Sequence, residues 1–173
     1  MKKQDLAKYI RSIPDFPKAG ILFKDITTLL ADKDAFSASI DLMAQNYKHK
    51  KIDAIVAVEA RGFIFGGALA YKLGTSFVPV RKKGKLPYKT LEVTYDLEYG
   101  QDTLTIHEDA FKPGANILII DDLLATGGTV KAVCDLVAKL AGNIIDICFL
   151  IELTELKGRE KLGDLPVFSL IKY

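Results

Sequence analysis

Two adjacent carboxylates, Asp121 and Asp122, follow the aliphatic run Ile117, Leu118, Ile119, Ile120 and precede Leu123, Leu124, Ala125, Thr126, Gly127, Gly128 and Thr129. Ionised carboxylates only accept hydrogen bonds, so the two acids suit sugar hydroxyls or a hydrated cation. The paired glycines allow a tight turn that exposes backbone N–H groups, and Thr126 and Thr129 add hydroxyl donors. The periodic segment after Thr129 predicts a helix, whose positive end is a seat for phosphate. Carboxylates beside a phosphate repel it unless something neutral or cationic lies between them, and a ribose ring supplies that spacing. The ligand implied is a phosphorylated ribose. Neighbouring side chains of an extended chain point to opposite faces, so both acids reach one ligand only if the strand ends at them and the backbone turns. The alternative without a ligand makes Asp122 a turn or capping residue and Thr129 a helix N-cap. The segment lacks the Lys of a P-loop and the Gly-x-Gly-x-x-Gly of a dinucleotide fold.

The surrounding pattern predicts an α/β fold. Ala54 to Val58, Phe77 to Val80, Ile117 to Ile120 and Ile144 to Leu150 read as buried strands. Helices are expected near 34–48, from about 62 to 73 with Gly74 as terminator, and from Thr129 to about 140. Strand, helix, strand in this order is a βαβ unit with a mainly parallel sheet flanked by helices. Leu6, Tyr9, Ile10 and Ile13 fall at helical spacing, which predicts a first helix near 2–12 ended by Pro14 and Pro17. Between the βαβ units Leu91, Val93 and Tyr95 alternate with polar residues, as do Leu104 and Ile106 after Gly100. Alternation marks half-buried antiparallel strands, and residues 82–100 read as a long excursion over one face of the sheet.

Ligands of open α/β sheets bind beyond the carboxyl ends of the strands. Three charged groups stand there: Glu59 with Ala60 and Arg61, then Arg81 with Lys82 and Lys83, then Asp121 with Asp122. Convergence of these groups at one edge is the expectation on which the site rests. The basic cluster from Arg81 to Lys85 reads as a local anion site or, alternatively, as a solvated loop. At 173 residues the chain has the length of one domain with a substantial core, and 49% hydrophobic content with 27% charged is ordinary for a globular protein. A formal charge of +2 is too small to argue for nucleic-acid binding. No apolar run has the length of a bilayer span, the N-terminus lacks a signal-peptide core, and Cys134 and Cys148 read as small buried hydrophobes. The cytoplasm is the expected compartment.

The run of buried strand, two acids and Ala-Thr-Gly-Gly-Thr resembles the phosphoribosyl-diphosphate (PRPP) motif of the type I phosphoribosyltransferases. Further stretches resemble the adenine-using branch of that family: residues 15–17, 20–26, 59–63, 81–87, 97–100 and 156–162. The likeness runs in order over nearly the whole chain. It implies one phosphoribosyltransferase domain over 1–173, with a base-binding segment at about 1–33 and a flexible lid at about 82–106. The activity implied is purine salvage: transfer of phosphoribosyl from PRPP to adenine, giving AMP and pyrophosphate. By the same resemblance Asp121 and Asp122 hold the ribose hydroxyls, and Ala125, Thr126, Gly127, Gly128 and Thr129 cradle the 5′-phosphate. Ala60 and Arg61 lie where pyrophosphate is placed, with Arg81, Lys82 and Lys85 adding charge and Tyr99 packing across the closed lid. Glu98 and Arg61 are the catalytic candidates, Glu98 facing the ribose cation or a proton in transit. For Arg61 the alternative is a surface salt bridge with Glu59, and for Glu98 an exposed turn carboxylate.

Adenine is expected between Phe23 and Leu123, with backbone carbonyls around Leu22 and Lys24 selecting its amino group; the alternative makes Phe23 a core residue. Lys24 stands where the family pattern has arginine, and so lacks the planar fork. The implied cofactor is Mg²⁺, held through substrate oxygens and water with no dedicated protein ligands. The expected partners are small molecules and a second copy of the chain, with the apolar Phe63, Ile64 and Phe65 as the contact, and neither nucleic acid nor membrane. Two other readings remain open: a phosphoribosyltransferase for a different 6-substituted purine, and a non-catalytic nucleotide-sensing regulator on the same fold.

Overall fold

Residues 2–96 and 100–173 are described in the computed structural model. Among them a seven-stranded sheet forms the middle of the molecule, in the order β5-β6-β4-β3-β7-β8-β9. Its strands are β3 (Ala54–Val58), β4 (Ser76–Lys82), β5 (Thr90–Asp96), β6 (Gln101–His107), β7 (Asn116–Leu124), β8 (Asn143–Glu152) and β9 (Val167–Lys172). The five strands β4, β3, β7, β8 and β9 run parallel, whereas β6 and β5 join antiparallel at the β4 edge. A separate antiparallel pair is made by β1 (Arg11–Pro14) and β2 (Leu22–Asp25). The helices are α1 (Lys3–Leu6), α2 (Thr27–Ala31), α3 (Lys33–Tyr47), α4 (Arg61–Leu73) and α5 (Gly128–Lys139). None of the described helices is long and apolar enough to cross a membrane.

The continuous apolar runs of the central strands follow from burial on both faces. Ile55, Ala57, Leu118 and Ile120 point into one core with Leu29, Met43, Tyr47, Phe65 and Leu69 of the α1–α4 side. Their neighbours Val56, Val58, Ile117 and Ile119 point into the other core, with Val133, Leu136 and Val137 of α5. Helix α3 starts where Asp32 accepts hydrogen bonds from the N–H groups of Asp34 and Ala35 at 3.1 and 2.8 Å. Helix α4 ends at Gly74, whose φ of 66° is the left-handed conformation expected of a helix terminator.

Three expectations need correction. The first helix is short: α1 stops at Leu6, a single 3₁₀ turn follows over Ala7–Tyr9, and residues 11–14 become β1. Leu6 and Ile10 are buried as the spacing implied. Pro14, however, biases Ile13 against helix, and the Arg11 guanidinium ties its strand to Asp25 of β2 at 2.6 and 3.0 Å. Residues 82–96 do not run across a face of the sheet. They lead into the β5–β6 hairpin, which extends the sheet at its edge in full register from Thr90↔His107 to Asp96↔Gln101. The third correction concerns β7, which continues through both acids to Leu124 because β8 stays alongside, pairing Leu123 with Ile151 and Leu124 with Glu152. Strands β2 and β9 were not anticipated at all.

Candidate active site

Strands β4, β3 and β7 lie side by side and parallel, so their carboxyl ends share one edge. Glu59, Ala60 and Arg61 follow β3, Arg81 and Lys82 end β4, and Asp121 and Asp122 lie near the end of β7. The three charged groups therefore converge as expected. A cavity of about 210 Å³ is bounded by Arg61, both acids and residues 123–130. A second, of about 330 Å³, adjoins it and is bounded by Glu59, Ala60, Arg61, Lys82, Tyr95, Asp102, both acids and Thr129.

Both acids border both cavities although the strand does not end at them. Asp121 Oδ1 accepts the N–H of Asp122 at 2.8 Å, which folds its carboxylate against its own backbone. That position depends on Gly62 in the first turn of α4, since a Cβ there would stand 2.8 Å from Asp121 Oδ1. Asp122 is 3% exposed and meets Arg61 Nε at 3.0 Å. Burial pushes the Asp121 carboxyl up, and the Asp122 charge adds to the rise. Asp122 is raised by burial too, with the Arg61 guanidinium opposing. Burial thus disfavours charge on two adjacent carboxylates at the cavity wall, and donors or a cation in the cavity would favour it.

The turn before α5 is made by Gly127, whose φ of 83° favours glycine, and among the described residues no side chain caps the helix. Thr129 lies inside the first turn rather than at the cap, and its Oγ1 is 3.5 Å from the Tyr95 hydroxyl. Asp122 is a strand residue and caps nothing. Neither residue caps the helix, and residues 127–130 at its start line the first cavity.

Glu59 does not pair with Arg61. Its carboxylate takes the Arg81 fork, Nε at 3.0 Å and a terminal nitrogen at 2.9 Å, and accepts the Lys82 N–H at 2.7 Å. The remaining Arg81 nitrogen donates to the Lys85 carbonyl at 3.1 Å. The basic loop is thereby folded against the end of β3 rather than free in solvent. Lys82 Nζ lies 2.8 Å from Asp102 and borders the second cavity, whereas Arg81 and Lys85 border neither. Asp102, Tyr95 and the anchoring role of Glu59 were not anticipated. Only the β4–β6 pairing, which places Lys82 opposite Leu104 two residues from Asp102, reveals the first of these.

Phe23 is half-buried on β2, edge-on to Phe16 at 5.1 Å, and the Arg61 guanidinium carbon is 5.6 Å from its ring centroid. It belongs to neither buried core and borders neither of the two cavities, and its link to the site is Arg61, which lies against its ring and pairs with Asp122. Leu123 borders the first cavity. Leu22 and Lys24, one residue either side of Phe23, instead line a third cavity of about 470 Å³ with Ile21, Leu153, Leu156 and Tyr173. The Lys24 ammonium donates to Ser12 Oγ at 2.9 Å and lies 3.8 Å from the Tyr173 ring centroid. Glu98 and Tyr99 lie outside the described residues.

Comparison with known proteins agrees with this geometry. The phosphoribosyl transferase domain family matches residues 25–172. An adenine phosphoribosyltransferase of Syntrophotalea carbinolica is 62% identical over 170 residues, covering 98% of this chain and 99% of that protein. The chain belongs to the adenine phosphoribosyltransferase family. Among solved members, the enzyme of Thermoanaerobacter pseudethanolicus superposes with a TM-score of 0.96 at 53% identity, covering 99% of this chain and 100% of that one. The Saccharomyces cerevisiae adenine phosphoribosyltransferase, solved with an imino-altritol bisphosphate and adenine, gives 0.92 at 42% identity, with 97% of each chain covered. The family fold, a mostly parallel sheet flanked by helices, is the one described above.

Proposed function

We propose that this protein transfers the phosphoribosyl group of PRPP to adenine, releasing AMP and pyrophosphate, a purine-salvage reaction. The observation that carries the proposal is the shared cavity of Asp121, Asp122 and the uncapped start of α5, walled by Arg61. Family membership and the adenine-bound yeast relative support the choice of base. In this reading the loop 125–129 holds the 5′-phosphate. Charge-assisted hydrogen bonds contribute about 1.5–3 kcal/mol each, so a few outweigh the roughly 0.3–2 kcal/mol of the helix dipole. The phosphate does not react, and its binding energy serves to orient C1 of the ribose. The acids accept the ribose hydroxyls. Arg61 and Lys82 face the second cavity, where departing pyrophosphate gathers charge. A purine nitrogen attacks C1 from the side of Phe23 and Leu123. Glu98 is the carboxylate assigned to the ribose cation or the proton, and Tyr99 to the cover of the closed site.

Among the described residues no group of three His, Cys, Asp or Glu side chains is gathered as a metal site. The oxygen-only chemistry of Asp102, Asp121 and Asp122 around the cavities nevertheless fits Mg²⁺ held mainly through substrate oxygens and water. Bound there, Mg²⁺ would neutralise charge on pyrophosphate. A cytoplasmic setting is part of the proposal, and the buried free thiols of Cys134 and Cys148, both pushed up to about 12 by burial, serve as core residues there. A homodimer is part of the proposal, with one revision of its contact. Phe65 is 0% exposed and belongs to the core, whereas Ile64 at 39% and Tyr71 at 91% leave an apolar stripe on α4. The test is AMP formation from adenine and PRPP with and without Mg²⁺, beside hypoxanthine and guanine. Turnover with adenine alone supports the assignment. Turnover with another purine instead overturns the base, and tight PRPP binding without turnover points to a nucleotide sensor.

A further inference from the structure

Residues 156–162 share the family likeness, yet none of them borders the two cavities at the acids. Their position gives them a use. Gly158 opens a 3₁₀ turn, Gly158–Leu162, that presses on the outer side of the loop 125–127. A Cβ on Gly127 would overlap the Gly158 carbonyl. One on Gly158 would overlap the Ala125 carbonyl and stand 2.8 Å from Leu124 Cδ1. The two backbones are therefore in van der Waals contact with no side chain between them.

The turn is held from behind. Arg159 forks onto Glu152 at 2.5 and 2.7 Å and donates to the Val167 carbonyl at 3.0 Å and Ser169 Oγ at 3.3 Å. Glu152 ends β8 and is 4% exposed, Leu162 is buried in the α5-side core, and the Leu153 N–H reaches the Leu124 carbonyl at 2.9 Å. Every nitrogen of the Arg159 guanidinium is engaged on β8 and β9, so Arg159 acts through Gly158 and not on substrate. We propose that Gly158 and Arg159 form a brace that fixes the phosphate loop from its outer side, with Arg159 a positioning residue for PRPP. An N–H cradle works only when its donors are held to within about half an ångström, and a loop that must order on binding loses affinity. The inference rests on the reading that residues 125–129 take the 5′-phosphate.

The test uses full-length Gly158→Ala and Arg159→Lys, with exposed Lys161→Ala as control. Gly158→Ala should raise the KM for PRPP about tenfold or more, and Arg159→Lys, which keeps the charge without the fork, about three- to tenfold. The KM for adenine should stay within about twofold, and Lys161→Ala should match the parent protein. Dissociation constants of ribose 5-phosphate, which shares only the sugar and its phosphate, should rise with the PRPP KM, while those of pyrophosphate should not. Folded variants with unchanged ribose 5-phosphate affinity, or with ribose 5-phosphate, pyrophosphate and adenine weakened alike, overturn the brace. Should Gly158→Ala fail to fold, Arg159→Lys decides by the same readings. A parent protein that makes no AMP, with ribose 5-phosphate binding still weakened by the variants, overturns the functional proposal and leaves the brace standing.

Discussion

Asp122 meets Arg61 at 3.0 Å, and a ribose hydroxyl would compete for the same carboxylate. Asp122→Asn keeps the shape and removes the charge. At about 1.5–3 kcal/mol for a hydrogen bond to a charged group, kcat/KM for PRPP should fall about 10- to 100-fold. Since burial opposes the charged form of Asp122, its removal should leave the urea midpoint unchanged or higher. Equal loss of stability with unaltered kinetics would give Asp122 a purely structural role. The pH behaviour separates site from fold. Both site acids are raised, so activity should fall with pH above the ordinary carboxylate range, while their protonation favours the folded state. Asp25 and Glu152 are held down at about 2 by hydrogen bonds from Thr27 and from Arg11 and Arg159. Their contribution to stability is present above about 4 and is lost as pH falls towards 2. Titration of kcat/KM beside circular dichroism should show activity lost before the fold. Coincident transitions would contradict the assignment.

Elements differ in how plainly their sequences announce them. β3 and the Ile117–Ile120 part of β7 are uninterrupted aliphatic runs and β8 is apolar from Ile147 to Ile151 because both sheet faces are covered, and α4 shows its end in Gly74. β1 was hidden because Leu6, Tyr9, Ile10 and Ile13 satisfy a helical period, while the β2 partners of residues 11–14 lie beyond a segment broken by Pro17 and Gly20. Pairing of this kind is settled by tertiary contact, not by local pattern. The two acids and the Gly-Gly turn were legible as a site, but the continuation of β7 past them depends on β8 alongside. Likewise Asp102 and Tyr95 reach the site, and Glu59 takes Arg81 rather than Arg61, only through strand register, which no single stretch encodes. Two substitutions test the elements. Gly62→Ala sets a methyl 2.8 Å from Asp121 Oδ1 and should lower kcat/KM for PRPP about tenfold, with a smaller change in the denaturation midpoint. Phe65→Ala empties a fully buried site between α4 and the sheet and should cost about 3–5 kcal/mol in urea unfolding.

The molecule as a whole is a sheet whose two cores hold three strand ends at one edge, with the β5–β6 hairpin leaning back towards the phosphate loop. Contact between Tyr95 and Thr129 joins that hairpin to α5, and Lys139 Nζ donates to the Glu92 carbonyl at 2.8 Å. On the opposite side of the sheet α4 carries Ile64 and Tyr71 outward. For the proposed homodimer, Ile64→Arg with Tyr71→Glu should shift sedimentation from dimer to monomer, and an unchanged sedimentation coefficient would remove α4 from the interface. The most direct measurement is a crystal structure with AMP. The 5′-phosphate should lie on the N–H groups of residues 126–129, the ribose hydroxyls on Asp121 and Asp122, and the base beside Phe23. A nucleotide phosphate seated instead on the Arg81–Lys85 loop, with the Asp121–Asp122 cavity vacant, would contradict it.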